Sequence, residues 1–227
     1  MRLFLCILLG LQITLATGQK KPFEKPDYAK IEKSIAVENA QFYYPELLKK
    51  YVAGDSSLTV EEKRHLYYGY IFQPGYSPYD QSNFADSVRS RLRKKPLSKT
   101  DLSEVVTFCD SALKENPFDL VSLNYLLYCT EELADDLAFQ GGLNRMKCIV
   151  DAIMSSGDGK TKSSAFFVIN TADEYSLLDI LGFQYGGKQN LIDHYDYLTL
   201  EKNDQNLKGL YFDITPCLNH LNQMFEK

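Results

Sequence analysis

The stretch DLSEVVTFCDSALKENPFDLVSLNYLLYCTEEL, residues 101–133, decides the fold class. Leu102, Val105, Val106, Cys109, Ala112 and Leu113 recur at the spacing of one helix face. Asp101 with Glu104 reads as a capping box that opens this helix. Asn116-Pro117-Phe118-Asp119 is a turn, and Asp119 caps a second helix whose apolar side carries Leu120, Leu123, Leu127 and Leu133. A connection this short predicts an antiparallel helix pair. Ala112-Leu113-Lys114-Glu115-Asn116-Pro117 also resembles the end of a tetratricopeptide repeat, where an Ala sits between helices and a Pro closes the unit. Leu127 stands where such a repeat usually has a small residue, and no 34-residue period is found elsewhere.

Working outward, the same logic predicts helices on both sides. Asp27 caps a short helix with Tyr28, Ile31 and Ile35 on one face. Pro45 sits in the first turn of a helix that ends at Gly54. Thr59 and Glu62 form a capping box for a helix to Tyr70. A further helix is expected over residues 82–95, ending before Pro96, and another after Asp135-Asp136. Beyond Ser155-Ser156-Gly157-Asp158-Gly159 the pattern changes. Residues 165–169, 195–200 and 210–214 read as strands, residues 173–181 as a helix, and Thr215 with Pro216 opens a last helix. The expected fold is α+β and mainly α: stacked antiparallel helix pairs with TPR-like packing over residues 27–155, then a small three-stranded antiparallel β/helix end over residues 156–227.

The chain has 227 residues, 44% hydrophobic and 24% charged, which excludes wholesale disorder. Its formal charge of −5 gives no general pull toward nucleic acid. Arg2, the apolar run from Leu3 to Leu15 and Ala16-Thr17-Gly18 read as a secretory signal peptide over residues 1–18, followed by a mobile leader over 19–26. Removing that peptide takes away one basic residue, Arg2, and moves the charge from −5 to −6. The expected location is periplasmic or extracellular, with no transmembrane segment after cleavage. Cys109, Cys129, Cys148 and Cys217 then remain, and they read as buried free thiols.

Several segments together resemble an uncharacterised family of exported bacterial proteins known mainly from Bacteroidetes, domain of unknown function family 4919. They are Tyr67-Tyr68-Gly69-Tyr70 with Gly75-Tyr76-Ser77-Pro78-Tyr79, Ser156-Gly157-Asp158-Gly159 before Ala165-Phe166-Phe167-Val168, Asp173-Glu174-Tyr175 with Leu178 and Gly182, and Tyr211-Phe212-Asp213-Ile214. The resemblance implies export and carries over no catalytic residue.

Familiar catalytic patterns fail on inspection. Gly157-Asp158-Gly159-Lys160-Thr161 ends like a phosphate loop, but Met154 occupies the place of the first Gly and a helix leads in. Ser77 is followed by Pro78, which has no N–H for an oxyanion hole. His65, His194 and His220 fall in no metal-ligand spacing, so neither metal nor cofactor is expected. His194 beside Asp193 and Asp196 reads as a polar strand edge. Asp173 and Glu174, adjacent in a first helical turn, read as dipole-favoured acids that do not face each other.

Two features remain. Arg89, Arg91 and Arg93, with Lys94, Lys95 and Lys99, are either an anion-binding patch or the solvated face of a helix. Eight of the 16 tyrosines lie between Tyr43 and Tyr79. Tyr67, Tyr68 and Tyr70 crowd one turn, so at least one ring should be partly exposed unless the helix is covered on two sides. With Tyr76 and Tyr79 on a Gly-Pro loop, these rings suit a binding surface for a protein or peptide; the competing reading is rings packed together with hydroxyls at the rim. The leading expectation is a non-enzymatic binding module of the cell envelope. A secreted hydrolase or a structural envelope subunit are the alternatives. A concave face lined by Tyr67, Tyr70 and Tyr76 favours binding, and an acid/base pair in a pocket favours the hydrolase.

Overall fold

The structure is a computed structural model that describes residues 23–80 and 82–225. The expected signal peptide and the first part of the expected leader lie outside the described residues. Within the described part of the leader, the Glu24 N–H donates to the Ser155 carbonyl at 3.1 Å, and Arg64 donates to the Lys25 carbonyl at 3.2 Å. Among the described residues, no helix is long and apolar enough to cross a membrane.

The protein is α+β and mainly helical. Helix α1 (Tyr28–Ile35) begins where the Asp27 side chain accepts from the Lys30 N–H, and it buries Ile31 and Ile35. Helix α2 (Tyr44–Val52) carries Pro45 in its first turn and ends before Gly54. Helix α3 (Val60–Gly69) has the full Thr59–Glu62 capping box and runs into a 3-10 turn at Tyr70–Phe72. Then follow α4 (Ala85–Leu92), α5 (Lys99–Glu115), α6 (Leu120–Glu132) and α7 (Asp136–Met154). Helices α4 to α7 stack in sequence, each against the next, and α3 lies between α1, α2 and α7. Asp119 caps α6 as expected, and the Asp135 side chain caps α7. Ala112 is buried, and Leu127 of α6 fits beside Gly142 of α7, whose missing side chain leaves the space.

The start of α5 is a correction. Its capping box is Ser98 with Asp101, three residues upstream of the expected pair, and Glu104 instead reaches across to Arg91. Asp101 serves the cap because its carboxylate accepts from the Ser98 N–H and hydroxyl. Helix α4 is also shorter than residues 82–95, since Ser82 and Asn83 are held outside it by Glu115.

The C-terminal part contains β1 (Phe166–Phe167), α8 (Ala172–Ile180), β2 (Tyr185–Ile192), β3 (Tyr195–Leu200), β4 (Gly209–Asp213) and α9 (Thr215–Phe225). They form a four-stranded mixed sheet in the order β1-β4-β3-β2, with β1 parallel to β4 and the other pairs antiparallel. This corrects the expected three-stranded antiparallel end. The added strand, β2, contains Gly186, Gly187 and Lys188 and little β-branched sequence. Its pairing with β3 slips at those residues, where Gly187 has φ +84 and a side chain on Gly186 would strike the Leu200 backbone. One continuous apolar core runs from Ile31 and Leu47 through Val105, Leu123 and Ile149 to Phe166, Leu198 and Phe212.

The segment at residues 157–164 closes the passage from α7 to β1. The Asp158 and Gly159 N–H groups both donate to the Ser164 carbonyl, so this is a locked turn. Gly159 has φ +70, and a Cβ there would lie 2.6 Å from the Phe166 ring. Gly159→Ala therefore combines backbone strain with a core clash and is expected to cost about 2 to 4 kcal/mol. Gly182→Ala, at φ +78 but in open space, is expected to cost about 1 kcal/mol. Urea unfolding of both variants checks the difference.

Candidate functional site

The tyrosines of α3 do not form a surface. Tyr67, Tyr68 and Tyr70 are all buried. The expectation that one ring is exposed is corrected for the reason it allowed: α3 is covered by α1, α2 and α7. Each hydroxyl finds a partner. Tyr67 donates to Asp173 Oδ2 at 2.5 Å, and its oxygen accepts from the Ile169 N–H at 3.3 Å. Tyr68 lies within hydrogen-bond reach of the Ala152 and Phe167 carbonyls, and Tyr70 donates to the Gly75 carbonyl. Burial raises all three pKa values.

Tyr76 and Tyr79 follow on the Pro74-Gly75 loop. Tyr76 is half-buried, donates to the Ile169 carbonyl at 2.8 Å and meets the Tyr70 ring edge-on. Tyr79 is 41% exposed. The loop, the turn before α6 and the start of α8 enclose a narrow cleft of about 10 Å³. Tyr70, Tyr76 and Phe118 are its aromatic walls; Ser77, Asn116, Asn170 and Asp173 supply polar groups. Tyr67 lies behind this cleft, bonded to Asp173.

The first-turn acids of α8 are more deeply buried than their position implies. Asn170 starts α8 by accepting the Ala172 N–H at 2.8 Å, and this places Asp173 and Glu174 in the first turn. The two do diverge: Asp173 meets Tyr67, whereas Glu174 faces Asp196 of β3. Both are buried instead of solvated, at 2% and 0% exposure. Burial pushes Asp173 up to about 8. It pushes Glu174 up to about 9, with the neighbouring charges of Asp196 and then Asp173 acting in the same direction. Among the described residues no donor reaches either Glu174 oxygen, and burial beside the Asp196 carboxylate favours its protonated form. Asp196 also accepts from Gln189 Nε2 at 2.5 Å, and Gln189 Oε1 accepts from Tyr175. No single motif marks this arrangement in the sequence, because its members come from α3, α8, β2 and β3.

The basic residues separate. Arg91 pairs with Glu104 and Lys94 with Asp101, so both face α5. Arg89 bonds Asp86 at 3.0 Å. Arg89 and Arg93 share the outer face of α4, where they line an open depression of about 340 Å³ with Asp86 and Ser90. His194 lies 3.5 Å from Asp213, and His65 stacks on Phe42. Among the described residues, no group of three His, Cys, Asp or Glu side chains is placed to hold a metal ion. Cys109, Cys129, Cys148 and Cys217 are free and buried.

A family model described as Domain of unknown function (DUF4919) matches residues 29–223. The chain belongs to this family. No curated protein and no solved structure matches it.

The raised carboxyls fix the sign of a pH effect. In the unfolded chain they lose their protons near pH 4, whereas the folded protein keeps them to about 8 and about 9. Between those limits the folded state binds more protons, so stability falls as pH rises. The melting temperature is expected to drop between pH 5 and pH 8.5, and Glu174→Gln is expected to flatten that drop. A variant with the full slope contradicts the assignment.

Proposed function

We propose that this member of the DUF4919 family is an exported, non-enzymatic binding module of the cell envelope, and that it takes a protein or peptide partner at the cleft beside the Tyr70–Tyr79 loop. The observation that carries the reading is the cleft itself. Rigid aromatic walls converge there with short hydrogen-bonding side chains, and the loop that forms one wall displays Tyr79 to solvent. Such rings give contact area at little entropic cost, and Asn, Ser and Asp groups orient what they touch. TPR-like packing of α5, α6 and α7 suits the same role, since stacked helix pairs present loops along one edge. Export rests on the signal-like residues 1–18. The outer face of α4, with Arg89 and Arg93, is a secondary anion-binding surface in this reading, and Arg91 is taken up by Glu104.

A secreted hydrolase acting on peptide or glycan is the second reading. The Glu174–Asp196 pair favours it, because one carboxyl held protonated beside another is the arrangement acid/base chemistry uses. Both carboxyls are buried, so that reading requires the Tyr76–Tyr79 loop to move.

The test uses two unequal substitutions. Tyr79→Ala removes an exposed ring and is expected to leave the melting temperature unchanged. It should lower recovery of a partner from envelope extracts by about tenfold. Tyr76→Phe loses only the hydroxyl on Ile169 and is expected to keep most of the recovery. Recovery that ignores Tyr79 contradicts a binding role for the loop.

A further inference from the structure

We infer that the cleft is a subsite for a primary ammonium group, and that the partner presents a lysine side chain to Asp173. The inference rests on the binding reading above and names the chemistry that the cleft selects.

Four observations converge. First, the cleft has room for about one water-sized group. An ammonium head has that size; a planar guanidinium does not. Second, its walls are the rings of Tyr70, Tyr76 and Phe118. Aromatic faces attract a cation and accommodate an unbranched methylene stem. A chain-terminal amine lies one carbon from a planar peptide group, which is too broad for a space of this size. Third, Asp173 lines the cleft while 98% buried, as its 2% exposure shows. Tyr67 donates to Oδ2, and no described residue donates to Oδ1. An ammonium supplies that oxygen with a donor and the carboxylate with an opposite charge. Fourth, the charges that act on these carboxyls among the described residues are acidic. Asp119 disfavours the charge of Asp173, and Asp196 and Asp173 disfavour that of Glu174. Ser77, Asn116 and Asn170 add neutral oxygens around the same space.

The site also predicts a proton balance. The ionisable groups around Asp173 include Tyr51 on α2, Tyr67 on α3, Tyr70 and Tyr76 beside the cleft, Asp119 before α6, Glu174 on α8 and Cys217 on α9, with His220 of α9 edge-on to the Tyr76 ring. Without ligand, burial holds Asp173 protonated up to about 8. An ammonium binds the carboxylate form, so one proton leaves as the ligand enters. Affinity then rises with pH by up to about tenfold per unit below pH 8, until the lysine amine itself loses its proton near pH 10.4.

The experiment is a titration of the isotope-labelled protein with acetyl-Gly-Lys-Gly-amide, followed by amide chemical shifts. Shifts are expected at Tyr70, Ser77, Asn170 and Asp173, with tighter binding at pH 8 than at pH 6. Asp173→Asn keeps an oxygen for Tyr67, so it is expected to preserve the melting temperature and to weaken binding at least about tenfold. The Nζ-acetylated peptide is expected not to bind. Equal binding of the acetylated peptide, or binding unchanged in Asp173→Asn, overturns the ammonium site. Tighter binding of the arginine peptide, or of Gly-Gly-Gly-amide through its free amine, overturns the choice of lysine. No binding of the lysine peptide, with partner recovery still dependent on Tyr79, overturns the subsite and leaves the binding module standing. Lysine binding with recovery indifferent to Tyr79 supports the subsite and removes the loop's role in partner capture.

Discussion

The hydroxyl of Tyr67 is the constraint on which the rest of the structure turns. A tyrosine in a helix covered on three sides brings a polar atom into the core, and that atom must be paired. Its partners come from a segment about a hundred residues away: the Ile169 N–H gives to it, and it gives to Asp173. Tyr76 holds the same residue through its carbonyl. Ile169 is thus clamped between two tyrosines, one from α3 and one from the loop that follows. This clamp sets where α8 begins, which directs Asp173 toward the cleft and Glu174 toward Asp196.

The aromatic composition follows from this demand. The chain has no Trp and 16 Tyr. A tyrosine both fills volume and ends in a group that can donate and accept, which suits a joint between a helical body and a sheet. Tyr68 bridges α7 and β1 in the same way, through the carbonyls of Ala152 and Phe167. Tyr51 reaches the Pro117 carbonyl in the turn before α6. The crowding of rings at residues 67–70 is therefore a packing device first, and only the outer end of the series, at Tyr79, meets solvent.

What was legible in the sequence was local. The Thr59–Glu62 box, the Asp27 and Asp119 caps and the strands around Tyr195–Leu200 and Leu210–Asp213 all follow from neighbouring residues. Ser98–Asp101 and Asp101–Glu104 are equally good capping patterns in the sequence; the choice is made by Arg91 and Lys94, which lie outside the helix and pair with Glu104 and Asp101. Strand β2 was invisible because its pairing with β3, not its composition, makes it a strand. The burial of Asp173 and Glu174 was illegible for a related reason. Their first-turn position reads as solvated, and what covers them is α3 and the Tyr76–Tyr79 loop, far away in the chain. The carboxyl site and the joint are one long-range feature, so reading one without the other was not possible.

The most direct measurement is a double-mutant cycle on Tyr67 and Asp173, using Tyr67→Phe, Asp173→Leu and the pair, with unfolding free energies from urea titration. Phe lacks the hydroxyl and Leu lacks the acceptor that Asn would keep, so the cycle isolates the hydroxyl–carboxyl contact. A coupling of about 1 to 3 kcal/mol, with one cooperative transition in all four proteins, is the predicted result. Additive costs, or a single variant in which the helical and sheet parts unfold separately while the coupling is zero, would contradict the account.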